Sequence, residues 1–493
     1  MRFPRLLAIV ISGVLFCLIA AGSRADSQTS ATAKPQPRAA ALHSSNASQQ
    51  PPIIFVQAPA ISGDDLPNRF SQGSRLARTA NGSTSSKVVN LTPEFFAAAD
   101  PQISFDASKV LFAAQPEAGA RWQIWEMNAD GSTKRQVTHL EANCFRPAYL
   151  AHDEFVFTVV TSEGGRSESQ IYVAKLDGTE AHPITFGPGN FQLETVMKDG
   201  RLLASAASPL TPGARDSGEL YTLRHDGTGL ASFRCEHRQP ARRAQAAELD
   251  DGSVVFVKNT RAQGGVGGEL AMIRRGALHN SSLSPLTAIS WSPRPLEAGK
   301  LIVARRNPAS GNSKFDLYAF DSASGRFGEL VYQDPKLSSV QAAPVSAHPV
   351  PRWYWSTLNP QAHAGYFVCL DAYHSADAPK GRIATPIARV RVLILDAATH
   401  QERALGEAPV EADGSFYIAV PPDKPVRFEL LNAAGTVIRA QQSWIWSRPG
   451  EERGCVGCHE DKSVAPENRW PLALKRFDTP TRLGVEPETK AAH

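Results

Sequence analysis

The residues with the clearest chemical meaning in this 493-residue chain are two cysteines and a histidine near its C-terminus. Cys455 and Cys458 are separated by two residues, and His459 follows the second cysteine directly. Two thiols at this spacing can add to the two vinyl groups of one porphyrin, and the adjacent histidine then reaches its iron. The motif therefore predicts one covalently attached haem c, with His459 as the metal ligand.

The same cysteine spacing also occurs in zinc sites, in redox-active dithiols and in short-loop disulfides. A tetrahedral zinc site needs further ligands at matching spacing, and the sequence has no second Cys-x-x-Cys and no His-x-x-x-His. A redox dithiol is typical of a βαβ context, which the flanking sequence does not show. Haem attachment is therefore the favoured interpretation, with zinc and a disulfide as the alternatives.

Large aromatic and basic side chains flank the motif. Trp444 and Trp446 alternate on one predicted strand and are large enough to cover a porphyrin. Arg448, Arg453 and Arg469 are nearby cations that can pair with the two haem propionates. For each arginine, an ordinary surface charge is the alternative. These five residues complete the predicted haem-binding set.

The second axial position of the iron is open to several residues. No methionine follows the motif, and Met127 and Met272 lie in predicted strands, where we interpret them as core residues. A His/Met iron is therefore not expected. The candidate histidines, each with a loop histidine as its alternative, are His237, His348, His374 and His493. A five-coordinate iron with one open position is an equal hypothesis.

Three more cysteines lie outside both the motif and the predicted signal peptide. They are Cys144, Cys235 and Cys369, and an odd number leaves at most one disulfide and one free thiol. We expect Cys144 and Cys235 near inner strands of different blades, where they could converge. A buried structural role is the favoured interpretation for each cysteine.

The N-terminus predicts export. Residues 1–25 combine Arg2 and Arg5, an apolar run over 6–21 and small residues before Asp26, which is typical of a cleaved signal peptide. Residues 26–50 are rich in small and polar residues and predict a disordered leader. We therefore expect a periplasmic or otherwise exported protein with no membrane span after signal cleavage.

Composition and repeats indicate an all-β fold. The formal net charge is +4 with mixed signs, so no nucleic-acid partner is expected. Short strands recur roughly every 40–50 residues, and Asp-Gly turns stand at 130–131, 177–178 and 226–227. This pattern resembles the WD40-like repeats of TolB-type propellers. It predicts a TolB-like β-propeller of about six blades over residues 51–350.

Two segments far apart in the chain each lack a neighbouring strand. Residues 53–56 resemble a second blade strand without an inner partner, and residues 342–345 resemble an inner strand without a follower. Pairing the two would close the ring and remove its free edges. We therefore predict a blade shared by the two ends of the propeller.

The rest of the chain divides into three predicted parts. Residues 351–382 form an aromatic connector, which we interpret as a packing surface between domains. Residues 383–446 alternate in strand fashion, and Asp413-Gly414-Ser415-Phe416 resembles turns of carboxypeptidase-regulatory-like sandwiches, so a small β-sandwich is predicted. Residues 447–493 form a short haem-binding segment and tail.

The order of propeller, sandwich and haem motif resembles the hydrazine synthase alpha subunit family. Its specific part is the stretch from Trp444 to Trp470, which includes Trp-Ser-Arg-Pro-Gly-Glu-Glu-Arg-Gly-Cys-Val-Gly-Cys-His. The resemblance implies one c-type haem in the domain after the propeller. It also implies an iron held by a tyrosine just after the motif, whereas residues 460–464 contain none. The chain ends at His493 without the second haem motif of that family, so hydrazine synthesis is not expected.

Two functional hypotheses follow. The first is an exported, single-haem c-type protein for electron transfer or small-molecule redox chemistry, acting with a redox partner protein or as a subunit of a larger complex. The alternative is a periplasmic TolB-like binding or scaffold protein whose Cys-x-x-Cys-His segment is structural or serves in docking. Covalent haem in the purified protein discriminates between them.

Overall fold

The computed structural model describes residues 51–63, 65–79, 88–163, 166–207, 218–233, 241–259, 266–277, 281–283, 289–306, 313–396, 399, 401–458 and 467–485. The predicted signal peptide (1–25) and leader (26–50) lie outside these residues. Within them, the only helical segments are short 3-10 turns at Leu66–Asn68, Glu297–Gly299, Pro379–Gly381 and Leu472–Leu474. None of these is long or apolar enough to cross a membrane. The predicted all-β fold class is confirmed.

Six four-stranded antiparallel sheets form the blades of a propeller. Blade 1 contains β1 (Ile53–Ala58), β2 (Arg75–Thr79) and β3 (Val88–Asn90). Blade 2 contains β4 (Ala97–Ile103), β5 (Lys109–Gln115), β6 (Gln123–Asn128) and β7 (Arg135–Gln136). Blade 3 contains β8 (Asn143–Tyr149), β9 (Glu154–Glu163), β10 (Arg166–Lys175) and β11 (His182–Pro183).

The second half of the ring repeats the same order. Blade 4 contains β12 (Gln192–Val196), β13 (Leu202–Ala206), β14 (Glu219–Leu223) and β15 (Ala231–Ser232). Blade 5 contains β16 (Arg242–Glu248), β17 (Val254–Asn259), β18 (Glu269–Ile273) and β19 (Ser281–Ser282). Blade 6 contains β20 (Ile289–Pro295), β21 (Lys300–Arg306), β22 (Asp316–Asp321) and β23 (Arg326–Tyr332).

The ring is closed by β24 (Ser338–Pro344), which is the inner strand of blade 1. It pairs antiparallel with β1, with Pro344 opposite Ile53 and Val340 opposite Val56. This is the closure predicted from the sequence. It joins the two ends of the propeller by backbone hydrogen bonds, so that β1 has a paired strand on both sides.

Asp-Gly turns connect the third and fourth strands of blades 2, 3 and 4. In blade 3, Asp177 accepts hydrogen bonds from the backbone N–H and hydroxyl of Thr179, at 2.9 and 2.6 Å. Gly178 has φ +90°, and a Cβ there would lie 2.1 Å from the carbonyl oxygen of Val137 in blade 2. Only glycine fits because the turn packs directly against the preceding blade.

The inner strands of the six blades carry a ring of polar residues, here called the inner ring. Each of the six inner strands shows a register shift typical of a β-bulge. Residues of the inner strands line a central cavity of about 50 Å³. The bulge of each strand contributes one polar residue to this lining; these are Asp100, Arg146, Glu194, Gln245, Ser292 and Gln341. All except Glu194 have φ between +43° and +56°.

Hydrogen bonds connect the inner ring from blade to blade. Asp100 accepts from Gln341 Nε2 at 2.6 Å and from the backbone N–H of Arg146 at 3.0 Å. Arg146 in turn lies 2.8 Å from Glu194 Oε1, and Ser292 Oγ accepts from the backbone N–H of Gln341 at 2.8 Å. Blades are thus joined at the axis by specific polar contacts as well as by apolar packing.

Two further four-stranded sheets form a β-sandwich after the propeller. One has the order β31-β25-β28-β32 and the other β27-β26-β29-β30. Their strands are β25 (Gly365–Cys369), β26 (Arg389–Leu395), β27 (Glu402–Pro409), β28 (Phe416–Val420), β29 (Val426–Leu431), β30 (Val437–Ala440), β31 (Glu452–Cys455) and β32 (Thr481–Arg482). The core between them contains Phe367, Val392, Ile418 and Leu430, which are all buried.

The sandwich extends beyond the boundaries expected from the sequence. The sequence placed it at 383–446, whereas β25 lies within the expected connector and β31 and β32 within the expected haem segment. Both added edge strands pair in parallel, β31 with β25 and β32 with β28. Parallel pairing between distant segments leaves no turn signal, which is why the sequence pattern did not reveal it.

Candidate functional site

Cys455 is positioned by the edge strand β31. This strand runs parallel to β25, and the register places Cys455 opposite Cys369. The N–H of Leu370 donates to the carbonyl oxygen of Cys455 at 2.8 Å. The strand β31 is therefore hydrogen-bonded to its neighbour as far as its last residue, Cys455. The first thiol of the motif therefore sits half-buried on a regular sheet rather than on a free loop.

Cys458 is positioned by a backbone contact with the loop that follows β25. Its N–H donates to the carbonyl oxygen of His374 at 2.9 Å. A Cβ on Gly457 would lie 2.4 Å from that oxygen and 2.9 Å from Cβ and Cδ2 of His374. The Cys-x-x-Cys loop thus approaches His374 so closely that glycine is required at 457.

A cationic side chain lies beside Cys458. Arg439, from β30 of the opposite sheet, hydrogen-bonds the Cys458 side chain. Arg439 also forms an ion pair with Asp377. Burial raises the pKa of the Cys458 thiol above its usual value, with Arg439 acting in the opposite direction. The thiol is therefore protonated at neutral pH, and a guanidinium stands directly beside it.

Arg469 lies on the same domain as the two thiols. Its Nη2 donates to the carbonyl oxygen of Asp413 at 2.7 Å and lies 3.5 Å from Asp371 Oδ2. Asp371 also pairs with Arg382 at 2.8 Å. Since Asp371 follows β25 by two residues, these two arginines form a basic group near the Cys369–Cys455 register pair.

Trp446 anchors the sandwich to the propeller. Its side chain is completely buried, and it packs against Phe186 and Phe191, with ring centroids at 6.0 and 5.3 Å. Its indole N–H lies 3.4 Å from the carbonyl oxygen of Gly227, to which it donates. These partners lie between blades 3 and 4 and on the outer turn of blade 4.

Arg448 and Arg453 also bind the propeller. Arg448 Nη1 donates to the carbonyl oxygen of Pro183 at 3.3 Å, and its guanidinium lies 4.8 Å from the Phe186 ring. Arg453 Nη2 donates to the carbonyl oxygen of Leu230 at 2.5 Å. Both guanidinium groups therefore hold backbone oxygens of blades 3 and 4, and the segment 446–453 is called the docking segment below.

The structure does not bring the two tryptophans to the cysteines. Trp444 is buried, and the guanidinium of Arg427 lies 5.7 Å from the centroid of its ring. Trp446 belongs to a hydrophobic cluster of blades 3 and 4, whereas Cys455 and Cys458 pack against the sandwich core. Trp444 and Trp446 were expected to cover the haem. Among the described residues, the neighbours of the two thiols are instead residues of the sandwich core.

The remaining candidate ligands are dispersed. His348 packs edge-on against Phe105 of the propeller, with ring centroids at 5.4 Å. Met127 and Met272 are buried in blade strands, as expected. In the described part of the chain, no group of three or more His, Cys, Asp or Glu residues could hold a metal ion. Several predicted candidates lie outside the described residues: Cys235, His237, His459 and His493.

Two of the other cysteines are buried. Cys144 lies in blade 3, where burial raises the pKa of its thiol to about 12. Cys369 lies in β25, and burial raises its thiol pKa well above the usual value, with Cys455 and Cys458 adding to the effect. The burial expected for both cysteines is confirmed. The expected convergence of Cys144 with Cys235 involves a residue outside the described part.

Sequence reasoning missed Arg439 and Asp377 as neighbours of the motif. Arg439 comes from β30, and Asp377 from the loop between β25 and β26. Nothing in the local sequence of either residue points to a thiol. The two approach Cys458 only because the two sheets of the sandwich pack together.

Gly457 allows a direct test of this arrangement. Replacing it by alanine should lower the free energy of unfolding by about 1–3 kcal/mol, because the added methyl group collides with a backbone oxygen. The Cys458 thiol should also react faster with a thiol reagent, because the N–H of Cys458 would no longer donate to the carbonyl oxygen of His374. Gly454→Ala is the matched control, because no atom lies within 4 Å of a Cβ there. Equal effects of the two variants in urea unfolding would contradict the close contact.

Fold and site together define a class of propeller–sandwich proteins in which Cys455 and Cys458 lie at the edge of the sandwich. Within that class the chain is hydrazine synthase alpha-like. Residues 372–460 match the family described as the hydrazine synthase alpha subunit middle domain. The resemblance inferred from the sequence is confirmed.

Three individual proteins are similar to this chain. The hydrazine synthase subunit alpha of Kuenenia stuttgartiensis is 24% identical over 539 residues, which cover 83% of this chain and 65% of that protein. The solved structure of Kuenenia stuttgartiensis hydrazine synthase matches 87% of this chain and 72% of its own, with 21% identity and a TM-score of 0.77. TolB from Acinetobacter baumannii covers 59% of this chain and 66% of its own, with 13% identity and a TM-score of 0.44.

Proposed function

We propose that the chain is an exported c-type haem protein that carries one haem on the edge of its sandwich. Cys455 and Cys458 attach the porphyrin, and His459 binds the iron. The observation that carries the proposal is the placement of the two thiols. Both are half-buried on the edge of a middle domain that matches the hydrazine synthase alpha family.

The residues around the two thiols fit a porphyrin with two propionates. Arg439 stands at Cys458, while Arg382 and Arg469 stand at Asp371 beside β25. Guanidinium groups pair well with carboxylates because they donate two parallel hydrogen bonds. Arg448 and Arg453 donate to propeller carbonyl oxygens, so we propose Arg382, Arg439 and Arg469 as the partners of the propionates.

A bound haem supplies a centre that accepts and releases one electron. The chain's own residues hold the two thiols at the sheet edge and place cations beside them. The docking segment fixes this edge against blades 3 and 4. We propose electron transfer or small-molecule redox chemistry in the exported compartment, with a redox partner protein or within a larger assembly. The Kuenenia stuttgartiensis relative is itself a subunit.

The experiment is a pyridine haemochrome spectrum of the chain expressed with haem-maturation machinery. We expect the band of haem c in the wild type and no covalent haem in the Cys455→Ser/Cys458→Ser double variant. Cys144→Ser is the matched control, because Cys144 lies in blade 3 and should keep the haem. A wild-type chain without covalent haem would refute the proposal.

Spectra of the haem-loaded chain with carbon monoxide and with imidazole report the second axial position. Ready binding of both indicates an open iron and favours chemistry on a small molecule. Failure to bind either indicates a six-coordinate electron carrier. His374 is a described histidine beside the motif, so His374→Ala should change these spectra if it is the second ligand.

A second candidate function is a TolB-like binding or scaffold protein in which the motif serves only in docking. The contacts of the docking segment with blades 3 and 4 favour it, because they hold the motif in place without any cofactor. Under this function, the wild type would purify with a folded propeller and no haem. The same haemochrome experiment therefore separates the two candidates.

A further inference from the structure

The structure places a third thiol beside the first thiol of the motif. Cys369 ends β25, Cys455 ends β31, and the two strands run parallel with these residues as register partners. Register partners in a parallel pair present their side chains on the same face of the sheet. Both side chains pack with the sandwich core, which agrees with this placement.

The separation of the two residues fits a disulfide bond. Neighbouring strands lie about 5 Å apart, and the Cα atoms of disulfide-bonded cysteines lie roughly 4.4–6.8 Å apart. We propose that Cys369 is a redox-active thiol of this site and forms a disulfide with Cys455 in the haem-free exported protein. The proposal rests on the proposed function only in treating Cys455 as a haem thiol.

The difference in burial among the thiols sets the order of the two exchange steps that form the disulfide. Cys369 is 2% exposed, whereas Cys455 and Cys458 are half-buried. A small disulfide such as oxidised glutathione reaches the half-buried Cys455 before the buried Cys369, forms a mixed disulfide with Cys455 and releases one glutathione thiol. Cys369 then attacks the Cys455 sulfur and displaces the second glutathione, which leaves with the bonding electron pair and gains the proton. Two thiols are oxidised and one glutathione disulfide is reduced.

The competing product is a disulfide between Cys455 and Cys458. Cys458 is held by its N–H to the carbonyl oxygen of His374, and its side chain is hydrogen-bonded to Arg439. Closing the two-residue loop requires these contacts to rearrange. For the Cys369–Cys455 bond, the strand pairing already places the two residues opposite each other.

The disulfide would regulate haem attachment. While Cys455 is bonded to Cys369, it has no thiol to add to a vinyl group, and a dithiol reductant must release it first. Once the haem is attached, Cys455 is consumed and Cys369 remains a buried free thiol. The site therefore has an oxidised haem-free form and a haem-loaded form that exclude each other.

The test uses the full chain made without haem-maturation machinery and incubated with oxidised glutathione. Free thiols are then alkylated, the chain is digested with trypsin without reduction, and linked peptides are identified by mass spectrometry. Cleavage after Arg453 and Lys462 separates the motif peptide from the peptide of Cys369. We expect a product that links these two peptides.

Single variants identify the cysteine within the motif. The linked product should persist in Cys458→Ser and disappear in Cys455→Ser and in Cys369→Ser, whereas Cys144→Ser should leave it unchanged. A wild-type chain with a Cys455–Cys458 bond and an alkylated Cys369 overturns the proposal, as does a linked product that survives in Cys455→Ser. A chain that forms the bond but never takes up haem would refute the proposed function and leave the disulfide established.

Discussion

Replacing Asp100 by asparagine should lower the free energy of unfolding by about 3–5 kcal/mol, because it removes the charge of a carboxylate that pairs with a buried arginine. Arg69 is 1% exposed, and its guanidinium lies 2.6 Å from Asp100 Oδ1. Asp100 also accepts hydrogen bonds from Gln341 and from the backbone N–H of Arg146. An asparagine has one acceptor oxygen where the carboxylate has two, so at least one buried donor loses its acceptor.

The same substitution should change how stability depends on pH. Burial by itself would raise the pKa of Asp100, but Arg69, Arg146 and Gln341 outweigh it and hold the pKa below its usual 3.8. A carboxyl group with a depressed pKa contributes its stability above the unfolded pKa and loses it as the pH falls through the folded pKa. The difference between wild type and Asp100→Asn should therefore be constant at neutral pH and shrink below about pH 3.8.

Urea unfolding at several pH values measures both effects. Asp130→Asn is the matched control, because Asp130 is an exposed aspartate in the outer turn of blade 2. Its effect should stay within about 0.5 kcal/mol. If both variants lose the same stability, the inner ring does not hold the blades together in the way its hydrogen bonds indicate.

Much of the propeller could be predicted because its information is local and repeated. Each blade repeats strand spacing and alternation, and Asp-Gly marks the outer turn of three blades. The closing pair was predictable because residues 53–56 and 342–345 each lacked a partner, and β1 pairs with β24 as expected. The inner ring was not predictable, because β-bulges at Asp100 and Arg146 have no sequence signature of their own.

The candidate site was only partly predictable. The motif identifies Cys455 and Cys458 by spacing alone. Their neighbours depend on which strands pair and on how the two sheets pack. Cys369 reaches Cys455 through a parallel pairing across more than eighty residues of chain, and Arg439 reaches Cys458 from the opposite sheet. Proximity in sequence to the motif favoured Trp446 and Arg448 as haem-binding residues, yet both side chains contact the propeller.

Replacing Trp446 by alanine should lower the free energy of unfolding by about 3–5 kcal/mol, since it removes a fully buried indole and leaves a cavity between blades 3 and 4. Trp355→Ala is the matched control, because that side chain is 77% exposed and its loss should cost less than about 0.5 kcal/mol. Both values come from urea unfolding of the haem-free chain.

This variant also decides between the two roles that the sequence and the structure give to Trp446. A tryptophan that covers a porphyrin contributes nothing to the haem-free chain, so its removal would leave the urea midpoint unchanged and alter the spectrum of bound haem. Removal of a tryptophan that anchors the sandwich would lower the urea midpoint and leave the spectrum of bound haem unchanged. Its indole already fills a pocket lined by Phe186 and Phe191 and donates to Gly227. We therefore expect a large loss of stability, with an unchanged haem spectrum in the molecules that remain folded.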